Sequence, residues 1–179
     1  MKRLFTALML GSVLASSTAL AAQMGEYIDY VSIGLGLQDI DSSNFDTGTA
    51  LTINAGKNIF YNVGVEVEGC TTVSGAEGNF AGVTDDLSFW SLGIYGTYVW
   101  KLDKVSIKPR IGLVYVSEKS DLNIHSDADP LSKTDTQKVE VSAGIGLNYQ
   151  MGRNYSLYTN YTRYEDEINQ INFGAEFKF

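Results

Sequence analysis

The sequence predicts an all-β protein, an eight-stranded antiparallel up-and-down barrel built as one domain. Apolar residues recur at every second position along most of the chain, which is typical of strands with one apolar face. The 179 residues include 18 glycines, 11 tyrosines and 8 phenylalanines but only 2 prolines. The connections between the alternating segments are short and long in turn, as in a barrel with tight turns at one rim. A chain of this length suits a single domain.

The first residues are predicted to form an export signal. Lys2 and Arg3 precede an apolar stretch over 4–14, and small residues follow over 15–22. This order is typical of a cleavable secretory signal peptide, which here ends in an A-x-A site. We expect cleavage after Ala21, so that residues 1–21 are removed and residues 22–179 form the barrel domain outside the cytoplasm.

Eight alternating segments follow in chain order. In the first four, the apolar face is formed in turn by Val31, Ile33, Leu35 and Leu37; by Leu51, Ile53 and Ala55; by Val63, Val65 and Val67; and by Trp90, Leu92, Ile94, Tyr98 and Trp100. In the fifth, sixth and eighth, it is formed by Ile107, Ile111, Leu113 and Tyr115; by Val139, Val141, Ala143, Ile145, Leu147 and Tyr149; and by Ile171, Phe173, Ala175, Phe177 and Phe179. The seventh segment, 155–164, is aromatic on both faces. Its presumed apolar face includes Thr159 and Arg163, so its register stays open.

The connections predict which ends of the strands share a rim. Tight turns are expected at 57–58, 102–104 and 151–154, and longer polar loops at 39–46, 74–86, 118–137 and 164–169. In an up-and-down barrel this alternation places the short turns at one rim and the long loops at the other. The segments are about ten residues long, which is enough to cross a bilayer at the usual tilt.

Eight such strands form either a soluble barrel with its apolar face inward or a membrane barrel with that face outward. The glycine-rich polar face favours the membrane barrel, because glycine weakens a strand but leaves room inside a narrow lumen. The same face carries charges of both signs, which would neutralise one another as an interior polar network. The predicted network comprises Glu66, Glu68, Lys108, Arg110, Glu140, Glu176 and Lys178.

Aromatic residues near the strand ends lie on or beside the apolar face, where membrane barrels place two interfacial girdles. The predicted girdles include Tyr27, Trp90, Trp100, Tyr115, Tyr149 and Tyr155. A mean hydropathy of −0.06 excludes only a helical membrane protein, since every second residue of a barrel strand faces away from lipid. The predicted fold class is therefore a transmembrane β-barrel.

The last predicted strand carries the most specific pattern. Phe179 is the last residue, and apolar residues precede it at every second position from Ile171. With the export signal and eight strands, the chain resembles the small bacterial outer-membrane β-barrel family that includes OmpX, NspA and the membrane domain of OmpA. The resemblance implies a location in the bacterial outer membrane, in contact with outer-membrane lipids and lipopolysaccharide. We expect the barrel to be a monomer. The resemblance also implies an assembly signal, recognised by the outer-membrane assembly machinery, in Ile171, Phe173, Phe177 and Phe179.

Several classes of protein are disfavoured by composition and motif. A net charge of −8 argues against a nucleic-acid partner, and a single cysteine, Cys70, excludes a disulfide scaffold. His125 lies beside Ser126, and histidine and serine are residues that a lipid hydrolase uses. An adjacent pair in an acidic loop nevertheless favours a solvated histidine over a catalytic one. Clustered loop carboxylates are ligands for hard cations, yet they lack the order of a calcium loop, so no metal site and no cofactor are predicted. The candidate loop contacts are Asp85, Asp86, Asp121, His125, Asp127 and Asp129.

The favoured function is a non-enzymatic outer-membrane protein that presents its loops for surface structure, adhesion or recognition of an extracellular or host ligand. One alternative is a narrow porin-like channel for ions or small solutes along the interior charges. Because side chains nearly fill an eight-stranded lumen, a stabilising polar core is favoured over a pore. The least favoured alternative is a lipid A-type ester hydrolase that uses His125 and Ser126.

Overall fold

The structure is a computed structural model that describes residues 25–40, 47–74, 76–80, 83–122, 133–164 and 168–179. The predicted signal peptide lies outside these ranges. Within them, no helix has the length and apolar character needed to cross a bilayer. The strands are β1 (Tyr30–Ile40), β2 (Gly48–Phe60), β3 (Val63–Ser74), β4 (Ala76–Phe80), β5 (Val83–Tyr98), β6 (Trp100–Leu102), β7 (Val105–Leu122), β8 (Lys133–Gln150), β9 (Tyr155–Tyr164) and β10 (Ile168–Lys178).

These strands close into one barrel. Antiparallel pairing runs from β3 through β2, β1, β10, β9, β8 and β7 to β5, and β5 pairs with β3 to complete the ring. β4 continues β3 along β5, and β6 continues β5 along β7, so the ten segments form eight barrel strands. The first and last strands meet over their full length, from Tyr30 opposite Lys178 to Ile40 opposite Ile168. The predicted all-β, eight-stranded antiparallel barrel is confirmed.

The two faces of the barrel wall differ as the alternation predicts. Large apolar side chains point outward, and Leu35, Leu92 and Ile111 are each more than half exposed. The polar side chains at the intervening positions are buried in the lumen. An apolar outer face and a polar lumen are the arrangement of a membrane barrel and the reverse of a soluble one.

β9 has a defined register, which the sequence left open. Tyr158 and Tyr164 point into the lumen, whereas Thr159 and Arg163 point outward. Arg163 pairs with Asn169 one position from the outer end of the β9–β10 hairpin. Its charge therefore lies near the rim, away from the middle of the apolar surface.

The turn predicted at 57–58 is wrong, because β2 continues to Phe60 and the chain reverses at Tyr61 and Asn62. Tyr61 adopts φ 48°, in the left-handed region that tight turns require. Asn58 is held by Asp29 instead: its backbone N–H and its side-chain amide each donate to Asp29 Oδ2 at 2.8 Å. The turns after β6 and β8 lie within the predicted segments, at 103–104 and 151–154.

Three strands are longer than predicted. β5 has 16 residues and β7 and β8 have 18 each. At about 3.3 Å per residue, 18 residues span about 60 Å, twice the thickness of a bilayer's hydrocarbon layer. The loops predicted at 74–86 and 118–137 are therefore wrong in extent, because β4 and the outer parts of β5, β7 and β8 occupy them. These parts pair as strands but alternate Thr, Ser, Lys and Asp, so no apolar period marks them.

Candidate functional site

The lumen contains a cluster of charged side chains contributed by three strands. Glu66 and Glu68 lie on β3, Lys108 and Arg110 on β7, and Glu176 on β10. Because side chains two residues apart on a strand share a face, each pair points into the barrel together. All five residues are at most 4% exposed. Buried charges are stable only when they are paired and hydrogen-bonded, so their partners define the site.

Glu66 is the centre of the cluster. Its Oε2 accepts hydrogen bonds from Tyr30 Oη and from Lys108 Nζ, each at 2.7 Å. Its Oε1 accepts from Arg110 Nη1 at 2.8 Å. One carboxylate thus joins β1, β3 and β7 across the lumen, and both of its oxygens are occupied by donors.

Arg110 connects the two carboxylates of β3. Its Nη1 lies 2.6 Å from Glu68 Oε2, and its Nη2 donates to Thr162 on β9. Its guanidinium also lies over the ring of Tyr95, 4.5 Å from the centroid. Glu68 Oε1 accepts from Tyr164 Oη at 2.6 Å. Arginine suits this position, because its planar group donates in several directions at once.

Glu176 extends the cluster toward the rim of short turns. Its two oxygens lie 3.5 Å from Lys108 Nζ and 3.6 Å from Lys178 Nζ. Six of the seven residues predicted for the network are joined by these distances. The five buried residues carry three carboxylates and two cations, and the partly exposed Lys178 supplies the third cation that balances them. The seventh, Glu140, lies on β8 with its carboxylate 3.9 Å from Lys138 Nζ.

Interior glycines make room for the tyrosines around the cluster. A Cβ on Gly56 would lie 2.2 Å from the phenol of Tyr30, and one on Gly34 would lie 2.4 Å from Tyr158 Oη. A lumen this narrow holds large side chains only where the opposing position has none. The abundance of glycine on the polar face therefore has a packing reason.

An apolar layer lies in the lumen on the outer side of the charge cluster, and the alternation of the sequence does not predict it. Phe89 and Tyr164 pack with ring centroids 6.5 Å apart. The layer comprises Ala50, Cys70, Phe89, Val114, Val116, Tyr164 and Ile168. These residues point into the lumen, at positions where the alternation predicts polar side chains. The signal was present on β7, where Val114 and Val116 continue the inward series that begins at Lys108.

At the rim of short turns the lumen opens into a cavity of about 130 Å³. Tyr30, Lys108, Asn148, Glu176 and Lys178 contribute to its lining. The lumen therefore has three levels: this inner vestibule, the charge cluster and the apolar layer. The side chains of the charge cluster and of the apolar layer are almost fully buried, so they fill the cross-section of the lumen at these two levels.

The predicted girdle residues lie at two levels of the outer surface, at the two ends of its apolar part. Tyr27, Trp100, Tyr149 and Tyr155 point outward near the short turns and are 47–70% exposed. Trp90 and Tyr115 form a ring pair near the other end, with centroids 5.3 Å apart. Aromatic side chains at two separate levels match the interfacial belts of a membrane protein.

The residues of the predicted assembly signal form the outer face of β10 and the position after it. Ile171, Phe173 and Phe177 point outward and are exposed. Phe179 is held at the rim, where its N–H donates to Asp29 O at 3.0 Å. The last strand is thus fixed to the beginning of the first.

The candidate loop contacts fall into two groups. His125, Asp127 and Asp129 lie outside the described residues. The loop positions predicted for the others are wrong, because Asp85 and Asp86 lie on β5 and Asp121 lies on β7, where the backbones of Asp86 and Asp121 are paired. In the part of the chain that the structure describes, no group of three or more His, Cys, Asp or Glu residues is arranged to hold a metal ion.

Comparisons with known proteins agree with this geometry. The family model for the outer-membrane protein β-barrel domain matches residues 5–179. No curated protein matches the chain in sequence. At 12–17% identity, the matching solved structures show the fold alone.

Three crystal structures illustrate the likeness. Ail, the attachment invasion locus protein of Yersinia pestis, in complex with the heparin analogue sucrose octasulfate, has a TM-score of 0.61 at 16% identity, with 84% of this chain and 97% of that chain covered. OprG of Pseudomonas aeruginosa has a TM-score of 0.61 at 13% identity, with 85% and 96% covered. Neisserial surface protein A has a TM-score of 0.57 at 17% identity, with 84% and 96% covered.

The closed ring of eight strands and the apolar outer face agree with the description of this family as an outer-membrane β-barrel domain. The match spans nearly the whole chain. The predicted location in the bacterial outer membrane follows from it. The chain belongs to the family of outer-membrane protein β-barrel domains.

Proposed function

We propose that this protein is a non-enzymatic outer-membrane barrel with a closed lumen, whose projecting outer strands and loops contact a positively charged extracellular partner. The observation that carries the proposal is the difference between the two ends of the barrel. The lumen is filled at two levels, whereas β5, β7 and β8 continue far beyond the length needed to cross the bilayer. The structured surface available to a partner is therefore outside the membrane.

The filled lumen argues against the channel alternative. A path for ions would have to pass the buried side chains of Phe89 and Val114, which offer no ligand in place of the ion's hydration shell. It would then have to separate Glu66 from Lys108 and Arg110. Each step is costly because the groups involved are buried.

The charge of the outer segments supports a cationic partner. The segments 39–46, 74–86, 118–137 and 164–169 carry 14 carboxylates and 2 lysines. Such a surface attracts cations and basic proteins and repels polyanions. Ail was crystallised with a sulfated heparin analogue; the outer segments of this chain have the opposite preference.

Binding measurements on the barrel in lipid nanodiscs test the proposal, with immobilised polylysine as the cationic probe and sucrose octasulfate as the anionic one. We expect binding to polylysine that weakens as salt is raised, and no binding to sucrose octasulfate. Replacing Asp127, Asp129 and Asp135 with Asn should weaken polylysine binding several-fold. Asp103→Asn, at the opposite rim, is the matched control and should have no effect. Preference for the sulfated probe would contradict the proposal.

Enzymatic activity is tested separately on membranes that contain the protein. The proposal expects unchanged lipid, whereas a hydrolase would release fatty acid from lipid A in a reaction lost with His125→Ala. Deacylated lipid that depends on His125 would replace the proposed function with the hydrolase alternative.

A further inference from the structure

Among the strand glycines whose surroundings the structure describes, two point outward, toward lipid. Inward glycines such as Gly34 and Gly93 are crowded, and a Cβ on either would lie within 2.6 Å of an interior tyrosine. Gly69 on β3 is the opposite case, since a Cβ there would meet no atom within 4 Å. Gly96 on β5 has open space as well, with one backbone oxygen 3.8 Å away. Glycine inside a strand often marks a bulge, a bend or a place where another group approaches the backbone closely.

The open space at Gly69 is part of a groove on the outer surface. Its neighbours across the sheet are Ile53 on β2 and Leu92 on β5. The next outward residue along β3 is the short Thr71, which lies between Leu51 and Trp90. Two small side chains in succession, between two rows of large ones, form a groove of about 320 Å³ that runs along the strand. We call it the β3 groove, defined by Leu51, Ile53, Gly69, Thr71, Trp90 and Leu92.

The β3 groove lies in the outer half of the apolar surface. Gly69 is six residues from the inner end of β3, and Trp90 at the outer end of the groove contacts Tyr115 at the outer aromatic level. Four of its six residues are large and apolar. The groove is therefore continuous with the lipid-facing surface and ends where lipid headgroups begin.

We propose that the β3 groove binds one acyl chain of an outer-leaflet lipid, whose headgroup lies at the level of Thr71 and Trp90. A linear chain can enter a groove one strand wide and fill the space above Gly69, gaining contacts that an empty groove forfeits. A second copy of the barrel fits less well, because its convex wall would meet the ridges of Ile53 and Leu92 before reaching Gly69. The inference rests on the membrane location of the family and not on the role of the loops.

Tryptophan fluorescence tests the proposal, since the chain has only two tryptophans, Trp90 and Trp100. Trp100→Phe leaves Trp90 in the groove as the sole reporter, and Trp90→Phe leaves Trp100 outside it. Each protein is reconstituted in vesicles that mix phosphatidylcholine with phosphatidylcholine brominated on its acyl chains. We expect quenching of Trp90 to exceed the curve for random lipid contact, and quenching of Trp100 to follow that curve. Identical curves for the two reporters would overturn the proposal.

Filling the groove provides the second measurement. Gly69→Leu and Thr71→Leu, each in the Trp100→Phe background, should remove about half or more of the excess quenching of Trp90, because each occupies the space of the chain. Gly96→Leu is the matched control in the inner half and should leave it unchanged. Heat-modifiable migration in gels verifies that each variant is folded. Unchanged excess quenching in both filled variants, or a dimer in sedimentation that Gly69→Leu dissociates, would contradict an acyl chain as the occupant.

Discussion

Lys108 Nζ lies 2.7 Å from Glu66 Oε2, and this ion pair links β7 to β3 across the centre of the lumen. The same carboxylate is shared with Arg110 and Tyr30. Removing either ion alone leaves a buried charge with fewer partners, whereas removing both leaves a neutral gap. The pair therefore predicts an asymmetry between single and double substitutions.

Lys108→Met should destabilise the barrel by about 3–5 kcal/mol, because Glu66 and Glu176 then lose a shared cation. Urea unfolding in lipid vesicles, followed by tryptophan fluorescence, measures the change. The double variant Glu66→Gln/Lys108→Met is the control and should be less destabilised than the single one. A double variant as unstable as the sum of its single changes would show that the pair is not coupled.

The filled lumen predicts the electrical behaviour of the purified protein. In planar bilayers we expect no discrete conductance steps. Arg110→Ala should also remain silent, because the apolar layer around Phe89 and Val114 lies above the cluster and stays in place. Steps that appear in the wild-type protein and disappear when Glu66 or Arg110 is neutralised would establish the channel alternative.

The two kinds of strand glycine predict opposite responses to one substitution. Gly34→Ala places a methyl group 2.4 Å from Tyr158 Oη and 2.8 Å from Phe173 O, so it should cost about 1–3 kcal/mol. Gly69→Ala meets open space and should be neutral or stabilising by about 0.5–1 kcal/mol, since alanine loses less backbone entropy on folding. Unfolding of both variants in the same vesicles provides the comparison. Equal destabilisation would contradict the difference in packing.

Asp29 predicts a contribution of the inner rim to acid stability. Burial of its carboxylate raises the pKa, but hydrogen bonds from Asn58 and the charge of Lys57 outweigh this, so the pKa is lower than its usual value. The stabilisation is therefore fully present above the unfolded pKa of about 3.9 and is lost as pH falls through the folded value. Because the pair with Lys57 is partly exposed, the contribution should be about 0.5 kcal/mol. Asp29→Asn should abolish this part of the pH dependence below pH 4, as measured by unfolding at a series of pH values.

Deleting Phe179 tests the role predicted for the last strand in assembly. The outward series that ends at Phe179 is the proposed recognition element, so the deletion should lower the amount of folded barrel in the outer membrane. The control is refolding of the same variant into vesicles, which needs no assembly machinery and should be nearly unaffected. Normal levels in the membrane would contradict the assembly signal.

The barrel could be predicted from the sequence because its apolar face is repeated at period two on nearly every strand. The interior charges could be predicted for the same reason, since Glu66, Lys108 and Glu176 share one parity. What the sequence does not reveal is which charge meets which. The contact of Glu66 with both Lys108 and Arg110 depends on strands whose positions around the ring are set only by closure.

Two further features could not be predicted from the local sequence. The outer parts of β7 and β8 alternate between polar residues, so backbone pairing extends them without an apolar period. Lys57 and Asn58 have turn-like composition and so predict a turn before its actual place at Tyr61. Asp29 holds Asn58 in the strand through a contact 29 residues away. Long-range partners, rather than local propensity, decide both cases.

The pairing of β1 with β10 has a consequence for the order in which the protein can fold. Tyr30 and Lys178 are neighbours in the finished wall although they are almost at opposite ends of the barrel sequence. Glu66 and Glu176, which share Lys108, are brought together by the same seam. Until the seam between β1 and β10 closes, the lumen charges of the incomplete barrel must remain in contact with water. Joining the two end strands and removing water from the interior are therefore coupled, and neither can be completed before β10 has paired with β1.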